Sequence, residues 1–399
     1  MSSARTLHTR AGSAVRLAAP AGVVYGLLAD VGCWPVLLEP CLAAERLDVF
    51  PGGDLLQVWE LARGRVRAWR VTRRLDPVRR VVECERRPDP ADPDVALPAA
   101  PGVCATPGPA LTPPAPSDAL ASPLRGAPPA RVSDAVPDRA VRAEEYAAGV
   151  VRSVWRVTEA GPDACVVRLE RSGAECVGRG RCATALRREV RAAVRTVARA
   201  AVSWERWDEL LVGWEEGVVL GGPPEVAYQV VAEAGAWPDA VSGAVRAEVA
   251  EPATGVQVAV TEWAGRPGDG GVGVFGSVRL AFAGAGRVVE KDVVRPAGLA
   301  ASAGSWSLVP DAAGTRLVRW RGVLLDPDAV LRQPRAAADA AGAGPSQEPS
   351  VDARAAELGP PEAPLAVVRD EVRSWLSRAD REVLALAEWR AGSVLRHVG

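Results

Sequence analysis

The feature that most limits how this chain of 399 residues can fold is an internal repeat. Residues 15–35 read VRLAAPAGVVYGLLADVGCWP, and residues 218–238 read VVLGGPPEVAYQVVAEAGAWP. A proline, a tyrosine and a Trp-Pro pair recur in both segments at one constant spacing, as Pro20 and Pro223 do. Because such self-similarity marks duplicated structural units, we predict two domains, over residues 1–212 and 213–399.

Each copy shows the same order of local signals. A short alternating strand leads into a proline, which suits the first turn of a helix because it lacks an N–H group. Segments of period two follow, and a long helix with apolar residues at every third or fourth position ends each copy. The predicted strands cover residues 43–50, 55–62, 66–74, 80–87, 152–159 and 164–172 in the first copy, and residues 244–250, 256–263, 272–282, 287–294, 304–309 and 315–323 in the second.

This order of elements predicts the fold class. The apolar faces of the two terminal helices carry Leu186, Val190, Val194, Val197, Ala201 and Trp204 in the first copy, and Leu365, Val368, Val372, Trp375, Ala379, Val383 and Leu386 in the second. An antiparallel sheet and an amphipathic helix can bury their apolar faces against each other. We therefore predict an α+β fold in which each curved sheet wraps around its terminal helix and leaves a cavity between them.

Two segments interrupt the pattern. Residues 88–139 and 335–364 are rich in proline and alanine and contain few large apolar residues. Because such segments bury too little apolar surface to fold, we predict that both are insertions without regular structure. The join between the copies, near residues 207–216, is short, so the two domains are expected to pack closely.

Composition argues against several classes of function. The net charge is −1 and no long apolar run occurs, so we expect no nucleic-acid or membrane partner. The two histidines, His8 and His397, lie near the ends, and the seven cysteines lack metal-ligand spacing. We therefore predict a cytoplasmic protein with reduced thiols and no metal. Lys291 is the only lysine among many arginines, which we attribute to the codon bias of a high-GC bacterial genome.

A hairpin in the first copy contains two tryptophans. Residues 55–62 and 66–74 flank a short polar segment that reads as a turn centred on Gly64. This centre would place Trp59 opposite Trp69, and aromatic pairs across neighbouring strands stabilise a sheet. We therefore predict that both rings lie on the inner face, which is the face toward the terminal helix.

Alternation along the second strand of that hairpin aims Arg73 inward with Trp69, and Arg74 outward. A buried guanidinium is costly unless it is paired or meets a ligand, so Arg73 is part of an internal ion pair, an edge residue or a ligand-binding group. In the second copy, Phe275 and Arg279 repeat the spacing of Trp69 and Arg73. The recurrence favours the ligand-binding interpretation.

The run VYGLLADVGCWP, followed by AWRVTRRLDP, resembles the aromatase/cyclases of bacterial aromatic (type II) polyketide synthesis. The duplication resembles their di-domain form and leaves out the two insertions. The resemblance implies tandem helix-grip domains of the START-like (SRPBCC) superfamily. It also implies a cofactor-independent enzyme of antibiotic biosynthesis, which promotes first-ring aldol cyclisation, dehydration and aromatisation of a poly-β-ketone bound to an acyl carrier protein.

The resemblance also implies site residues. In that family an arginine four residues after the strand's tryptophan points into the pocket, which implies catalytic roles for Arg73 and Arg279 as donors to a carbonyl or enolate oxygen. The implied substrate pocket contains Trp34, Cys41, Trp59, Trp69, Val71, Trp237, Trp263, Phe275 and Ser277. The chain has Cys41 and Ala244 where single-domain relatives carry tyrosine, so the proton-transfer groups stay unassigned.

Several alternatives remain open. The same fold can carry a hydrophobic small molecule without catalysis, and one copy can be active while the other is a scaffold. Cys41 is either a small residue of the pocket or core, or a nucleophile. A stripe of arginines on the first terminal helix is either a solvated face or a docking patch for an acidic carrier protein. The stripe consists of Arg188, Arg191, Arg195 and Arg199.

Overall fold

The computed structural model describes residues 8–62, 64–89, 95–97, 150–174, 181–202, 204–266, 271–326 and 365–398. The predicted insertion over 335–364 and most of the one over 88–139 lie outside these residues. Within the latter, Val95–Ala96 forms a short strand that pairs with residues 65–66. This strand corrects the prediction that residues 88–139 contain no regular structure.

The first half forms an antiparallel sheet packed on a long helix. Its strands are β1 (His8–Leu17), β2 (Cys41–Phe50), β3 (Gly53–Ala62), β4 (Arg65–Asp76), β5 (Val81–Pro88), β6 (Val95–Ala96), β7 (Val151–Gly161) and β8 (Ala164–Ala174). They run across the sheet in the order β1-β8-β7-β5-β4-β3-β2, and β6 pairs with β4. The helices are α1 (Ala21–Ala29), α2 (Trp34–Leu37) and α3 (Arg181–Val202). As predicted, Val190, Val194 and Val197 of α3 are buried against the sheet.

The second half repeats this arrangement. A 3-10 turn (Trp204–Arg206) and α4 (Trp207–Leu210) lead into β9 (Leu211–Leu220), α5 (Pro224–Ala232) and a second 3-10 turn (Ala234–Asp239). The remaining elements are β10 (Ala244–Ala253), β11 (Val256–Ala264), β12 (Val272–Phe282), a 3-10 turn (Ala283–Ala285), β13 (Arg287–Val294), β14 (Leu299–Asp311), β15 (Gly314–Leu325) and α6 (Leu365–Val398). The sheet order is β10-β11-β12-β13-β14-β15-β9.

The α+β class with two antiparallel sheets and long terminal helices is therefore confirmed. The predicted second domain starts at residue 213, which falls inside β9, two residues after that strand begins. Because β9 pairs with β15 along its whole length, it belongs to the second sheet. The division of the chain into two domains at this point stays a proposal.

The register of the β3–β4 hairpin corrects the predicted pairing of its tryptophans. Ala62 pairs with Arg65, so the turn is one residue shorter than a turn centred on Gly64. Trp59 consequently lies opposite Ala68, and Trp69 lies opposite Val58. A shift of one residue moves a side chain to the other face, so the two rings face opposite sides of the sheet.

The outer faces of the two sheets meet in an apolar interface. The ring centres of Trp59 in β3 and Phe282 in β12 lie 4.9 Å apart, within a buried cluster that includes Leu42 and Val289. At a second contact, Val36 of α2 packs against β14. The two halves therefore share apolar surface, as the short join predicted.

Candidate functional site

A cavity of about 130 Å³, the first-half cavity, lies between the inner face of the first sheet and helix α3. Apolar side chains line most of it, namely Leu28, Trp34, Leu38, Pro40, Val58, Val71, Trp155, Ala193 and Val197. The polar side chains that reach it are Cys41, Glu60, Cys84, Arg86, Ser153, Arg171 and Thr196. An apolar chamber with a few convergent polar groups is typical of a small-molecule site.

Glu60 of β3 and Arg86 of β5 meet at the wall of this cavity. Arg86 Nη2 lies 2.5 Å from Glu60 Oε2, and its guanidinium carbon lies 4.7 Å from the centre of the Trp69 ring. The Arg86–Glu60 contact is an ion pair whose atoms are not aligned for a hydrogen bond. Trp69 Nε1 likewise has no aligned hydrogen-bond acceptor among the described residues. Both nitrogens are almost completely shielded from solvent, and the guanidinium of Arg86 lies over the indole of Trp69 beside the cavity.

Arg171 of β8 adds a second guanidinium to the cavity. Its Nε donates to Ser153 Oγ at 3.0 Å, and its Nη1 lies 3.8 Å from the Glu189 carboxylate of α3. Burial, followed by the charge of Arg86, lowers the pKa of Arg171. Because an arginine stays protonated even when its pKa is lowered, the wall of the cavity carries two positive charges.

The two thiols of the cavity are unreactive. Burial raises the pKa of Cys41 to about 12, and burial raises that of Cys84 to about 11 although nearby guanidiniums oppose the rise. A thiol with such a pKa is protonated at neutral pH and is a poor nucleophile. Cys41 lines the cavity, and its raised pKa favours the small pocket residue over the nucleophile among the interpretations of the sequence.

An outer chamber of about 320 Å³ adjoins the first-half cavity and shares Glu60, Arg86 and Arg171 with it. Trp69 and Arg188 line the outer chamber and do not line the inner cavity. The four arginines of the stripe on α3 are all exposed. The first-half cavity therefore has an approach from solvent that passes between β4 and α3.

Arg73 lies beneath this site and is completely buried. It donates to both carboxylate oxygens of Asp54 at 2.7 and 2.6 Å, and to the carbonyls of Leu28 and Ala29 at 3.0 Å each. Its guanidinium lies 5.2 Å from the centre of the Trp34 ring. These contacts favour the internal ion pair over a ligand-binding role, and the catalytic role of Arg73 stays an untested prediction.

Arg279 makes similar contacts in the second half, although Gln257 and Glu290 take the place of Asp54. It donates to the carbonyls of Val231 and Ala232, at the end of α5, and lies 5.2 Å from the Trp237 ring centre. These two carbonyls occupy the same places in the repeat as those of Leu28 and Ala29. A cation at a helix C-terminus satisfies carbonyls that lack partners and opposes the helix dipole. Stabilisation of the helix end therefore accounts for the recurrence of the arginine.

The second half has a smaller space, the second-half cavity, of about 30 Å³. Its lining includes Trp237, Trp263, Phe275, Ser277, Arg279 and Trp306. A buried ionic network surrounds it, in which Glu290 contacts Arg279, Arg319 and Arg321, and Asp380 of α6 contacts Arg319 and Arg321. Burial raises the pKa of Glu290, but the three guanidiniums outweigh it and hold this pKa at about 2.

The predicted pocket residues fall into three groups. Trp34, Cys41 and Val71 line the first-half cavity, and Trp69 lines its outer chamber. Trp59 lies outside both spaces, on the interface with the second half, because of the register shift described above. The second-half residues all line the second-half cavity; they are Trp237, Trp263, Phe275, Ser277 and Arg279.

Sequence reasoning missed Glu60, Arg86, Ser153 and Arg171. A two-residue turn in the β3–β4 hairpin would have placed Glu60 on the inner face with Val58. Arg86 pairs with Val71 across the ladder, so its position depends on the register between β4 and β5. Ser153 and Arg171 pair with each other in β7 and β8, which follow the long insertion. Strand alternation was a usable signal for Glu60 alone.

Two features are absent from the described part of the chain. No helix there is both long and apolar enough to cross a membrane. Among the same residues, no group of three or more histidine, cysteine and acidic side chains is placed to hold a metal ion.

No protein-family model matches the chain. A segment of 77 residues is 38% identical to the granaticin polyketide synthase bifunctional cyclase/dehydratase of Streptomyces violaceoruber, and covers 19% of this chain and 24% of that protein. A segment of 73 residues is 37% identical to the actinorhodin polyketide synthase bifunctional cyclase/dehydratase of Streptomyces coelicolor, and covers 18% of this chain and 22% of that protein. The chain thus matches less than a quarter of the length of either relative.

Two solved structures resemble the whole chain. The di-domain ARO/CYC StfQ from the steffimycin biosynthetic pathway has a TM-score of 0.66 at 22% identity, over 96% of this chain and 99% of its own. The di-domain ARO/CYC BexL from the BE-7585A biosynthetic pathway has a TM-score of 0.64 at 21% identity, over 96% and 98%. The chain is therefore a tandem helix-grip protein. Its fold is that of the di-domain aromatase/cyclases, which confirms the resemblance inferred from the sequence.

Proposed function

We propose that the protein is an aromatase/cyclase of aromatic polyketide synthesis, and that the first half contains its active site. The reaction is first-ring aldol cyclisation of a poly-β-ketone, followed by dehydration and aromatisation. The observation that supports it best is the first-half cavity, where Glu60, Arg86 and Arg171 converge in an otherwise apolar chamber. The sequence similarity to two polyketide cyclase/dehydratases supports the same class of reaction.

The size of the cavity fits the closure of one ring. A protein cavity of about 150 Å³ accommodates one benzene molecule. The first-half cavity, at about 130 Å³, matches the part of a folded polyketide that becomes the first six-membered ring. The rest of the substrate, which is longer than one ring, occupies the outer chamber of about 320 Å³.

The polar groups of the cavity fit the chemistry of an aldol reaction. Removal of a proton from a carbon between two ketones forms an enolate, whose attack on a second ketone forms a carbon–carbon bond and an alkoxide. The guanidiniums of Arg86 and Arg171 stabilise the negative oxygens, and a largely apolar site strengthens this interaction. In the addition, the Glu60 carboxylate accepts a proton from this carbon and returns it to the alkoxide, which becomes a hydroxyl group. In the dehydration, it accepts the second proton of the same carbon and returns it to that hydroxyl group, which leaves as water while the carbon–carbon double bond forms. No cofactor enters these steps.

The outer chamber fits the delivery of the substrate by an acyl carrier protein. Arg188 lies at its rim, and the exposed arginines of α3 continue away from it along the helix. Acidic carrier proteins would be attracted to this positive face, and such attraction raises the rate of association. The docking role of this arginine stripe is part of the proposal.

The alternative is a non-catalytic carrier of a hydrophobic molecule, and the largely apolar lining of the cavity favours it. The two functions differ in what Glu60 and Arg86 do. A carrier tolerates removal of both charges together, because their ion pair is then lost without leaving an unpaired charge. A cyclase does not tolerate this change, because both groups take part in the reaction.

The test is product profiling after reconstitution with a minimal polyketide synthase and its carrier protein. Losing one preorganised donor costs about a hundredfold in rate, so Arg86→Ala should release mainly spontaneously cyclised products. Arg87→Ala is the matched control, since Arg87 is the next residue, is exposed and pairs with Glu85 on the outer face. Equal product profiles for Arg86→Ala, Glu60→Gln and the parent would reject the proposed active site in favour of the carrier.

A further inference from the structure

A turn over residues 38–41 forms part of the wall of the first-half cavity. It joins α2 to β2, and Leu38, Pro40 and Cys41 all line the cavity. Within the turn, the Cys41 N–H donates to the Leu38 carbonyl at 3.0 Å. The Leu61 N–H of β3 also donates to the Pro40 carbonyl at 2.8 Å, so the middle of the turn is bonded to the first sheet.

The second half contacts this turn through Lys291. Along β13, Glu290 and Asp292 face the second-half cavity, so Val289 and Lys291 face the opposite way, toward the first half. Val289 packs in the same cluster as Leu42 and Ala43 of β2. Lys291 Nζ donates to the carbonyls of Leu38 and Cys41, at 2.9 Å in each case. One ammonium group therefore joins both ends of the 38–41 turn.

The chemistry of this contact sets it apart from ordinary packing between the halves. Lys291 is 4% exposed, and its two partners are neutral carbonyls with no formal charge to balance the ammonium. Burial lowers the pKa of Lys291 to about 8, because it removes the ammonium group from water. An apolar side chain at this place would avoid that cost, as Val289 does two residues earlier. A need to fix the position of the 38–41 turn would explain why a lysine occupies this place.

We propose that Lys291 is a positioning residue, by which the second half holds the 38–41 turn and so fixes one wall of the first-half cavity. The effect on the reaction rests on the function proposed above, whereas the effect on the turn does not. A second half with a nearly filled cavity thereby contributes to the site of the first half.

The experiment measures the turn directly through Cys41, whose thiol is buried in the cavity wall. The full-length protein is treated with iodoacetamide, and alkylation of Cys41 and Cys165 is followed over time by peptide mass spectrometry. Cys165 is buried in the core of the first half, where β8 pairs with β1, so it reports general unfolding. Lys291→Met removes the donors and keeps the length of the side chain, and product profiling is run on the same samples.

We expect Lys291→Met to raise the alkylation rate of Cys41 about tenfold, the loss typical of one charge-assisted hydrogen bond, and to leave Cys165 unchanged. We also expect more spontaneously cyclised products. Val289→Ala, on the same face of β13, should change neither readout. Where Lys291→Met does not fold, Lys291→Gln replaces it, since its amide keeps a shorter donor.

Unchanged alkylation of Cys41, or an equal increase in Val289→Ala, would overturn the positioning role. Faster alkylation with an unchanged product profile would show that the turn is held but does not shape the reaction, which also contradicts the proposal. If the parent protein itself leaves the products of the synthase unchanged, the proposed function fails. In that case the alkylation rates still decide whether Lys291 holds the turn.

Discussion

The first-half cavity measures about 130 Å³ and the second-half cavity about 30 Å³, although equivalent strands and a long terminal helix enclose both. In the first half the charged pair of Glu60 and Arg86 is partly exposed to the cavity, at 26% and 15%. In the second half the charged groups bind one another and are almost completely buried. The same fold is thus open to a ligand in one copy and nearly filled in the other.

The ladder registers show which substitutions cause this difference. Arg73 and Arg279 occupy equivalent places, so residues at equal distances along the neighbouring strands can be matched. By this alignment Glu60 corresponds to Trp263, and Arg86 corresponds to Asp292. The indole of Trp263 therefore takes the space that a carboxylate leaves open in the first half. Arg171 corresponds to Arg321, which is held by Asp380 of α6 at 2.8 Å.

The comparison indicates that duplication separates two requirements that conflict within one domain. One is an open cavity that can hold a ligand, and the other is a densely packed, stable core. A cavity costs stability, because the atoms that line it lack packing partners. The second half has only a small cavity and therefore loses little stability in this way. It packs against the first half through the apolar interface and through Lys291. This division of roles agrees with the proposal that the first half carries the active site.

The largest effect we expect comes from the buried arginine that both halves share. Arg73→Ala should lower the free energy of unfolding by about 3–5 kcal/mol, because it leaves the buried Asp54 carboxylate with only the partly exposed Arg46. Arg279→Ala should cost about 1–3 kcal/mol, since Glu290 keeps Arg319 and Arg321. Urea titration of each variant measures both values.

Arg74→Ala is the control for this pair, because Arg74 is exposed on the outer face of β4. Its unfolding free energy should stay within about 0.5 kcal/mol of the parent. If Arg73→Ala were as stable as the parent and changed only the products, Arg73 would be a catalytic group as the sequence first implied.

A matched pair of substitutions tests which cavity is open. Ala193 of α3 lines the first-half cavity, and Ala379 of α6 lines the second. Ala193→Phe has room for its ring, so we expect little loss of stability and a fall of about a hundredfold in correct ring closure, comparable to the loss of a catalytic donor. Ala379→Phe overpacks a filled core and should cost about 1–3 kcal/mol. Thermal melting and product profiling are run on both, and the reverse result would contradict the comparison.

The same contrasts show which features of the structure could be predicted from the sequence. The repeat, the alternation and the helical periodicity predicted the order of strands and helices, because these signals are local. The inner face of β4 was predicted from alternation, and Val71 and Arg73 are buried there as expected. The pairing of Trp59 with Trp69 was wrong, because the turn length sets the register and a one-residue difference reverses the face.

The site itself depends on contacts between distant segments. Glu60, Arg86 and Arg171 come together only through four ladders that join five strands, and two of these strands, β7 and β8, follow the long insertion. The recurrence of Arg73 and Arg279 was a real signal, but its cause is the end of a helix that lies more than forty residues earlier in the chain. Lys291 contacts carbonyls 250 and 253 residues away, which no local pattern reveals.

The last effect we expect is a pH dependence of stability that arises from Asp292 in the second half. Burial, and also the charge of Glu290, raise the pKa of Asp292 to about 6, whereas an aspartate in an unfolded chain has a pKa of about 3.9. Between these two values the folded protein binds more protons than the unfolded chain. The contribution of Asp292 to the free energy of unfolding therefore falls as the pH rises from about 4 to about 6.

Asp292→Asn tests this assignment, because it removes the titrating group and keeps the shape of the side chain. We expect the loss of stability between pH 4 and pH 6 to shrink by roughly 1–3 kcal/mol relative to the parent. Glu290 does not mask the effect, since its pKa of about 2 places its own stabilising contribution above about pH 4.5 and its loss at lower pH. Asp311→Asn is the control, because Asp311 is exposed at the end of β14. Urea titrations at several pH values provide the measurement. An unchanged pH dependence in Asp292→Asn would mean that the buried network of the second half does not hold a proton on this carboxyl group.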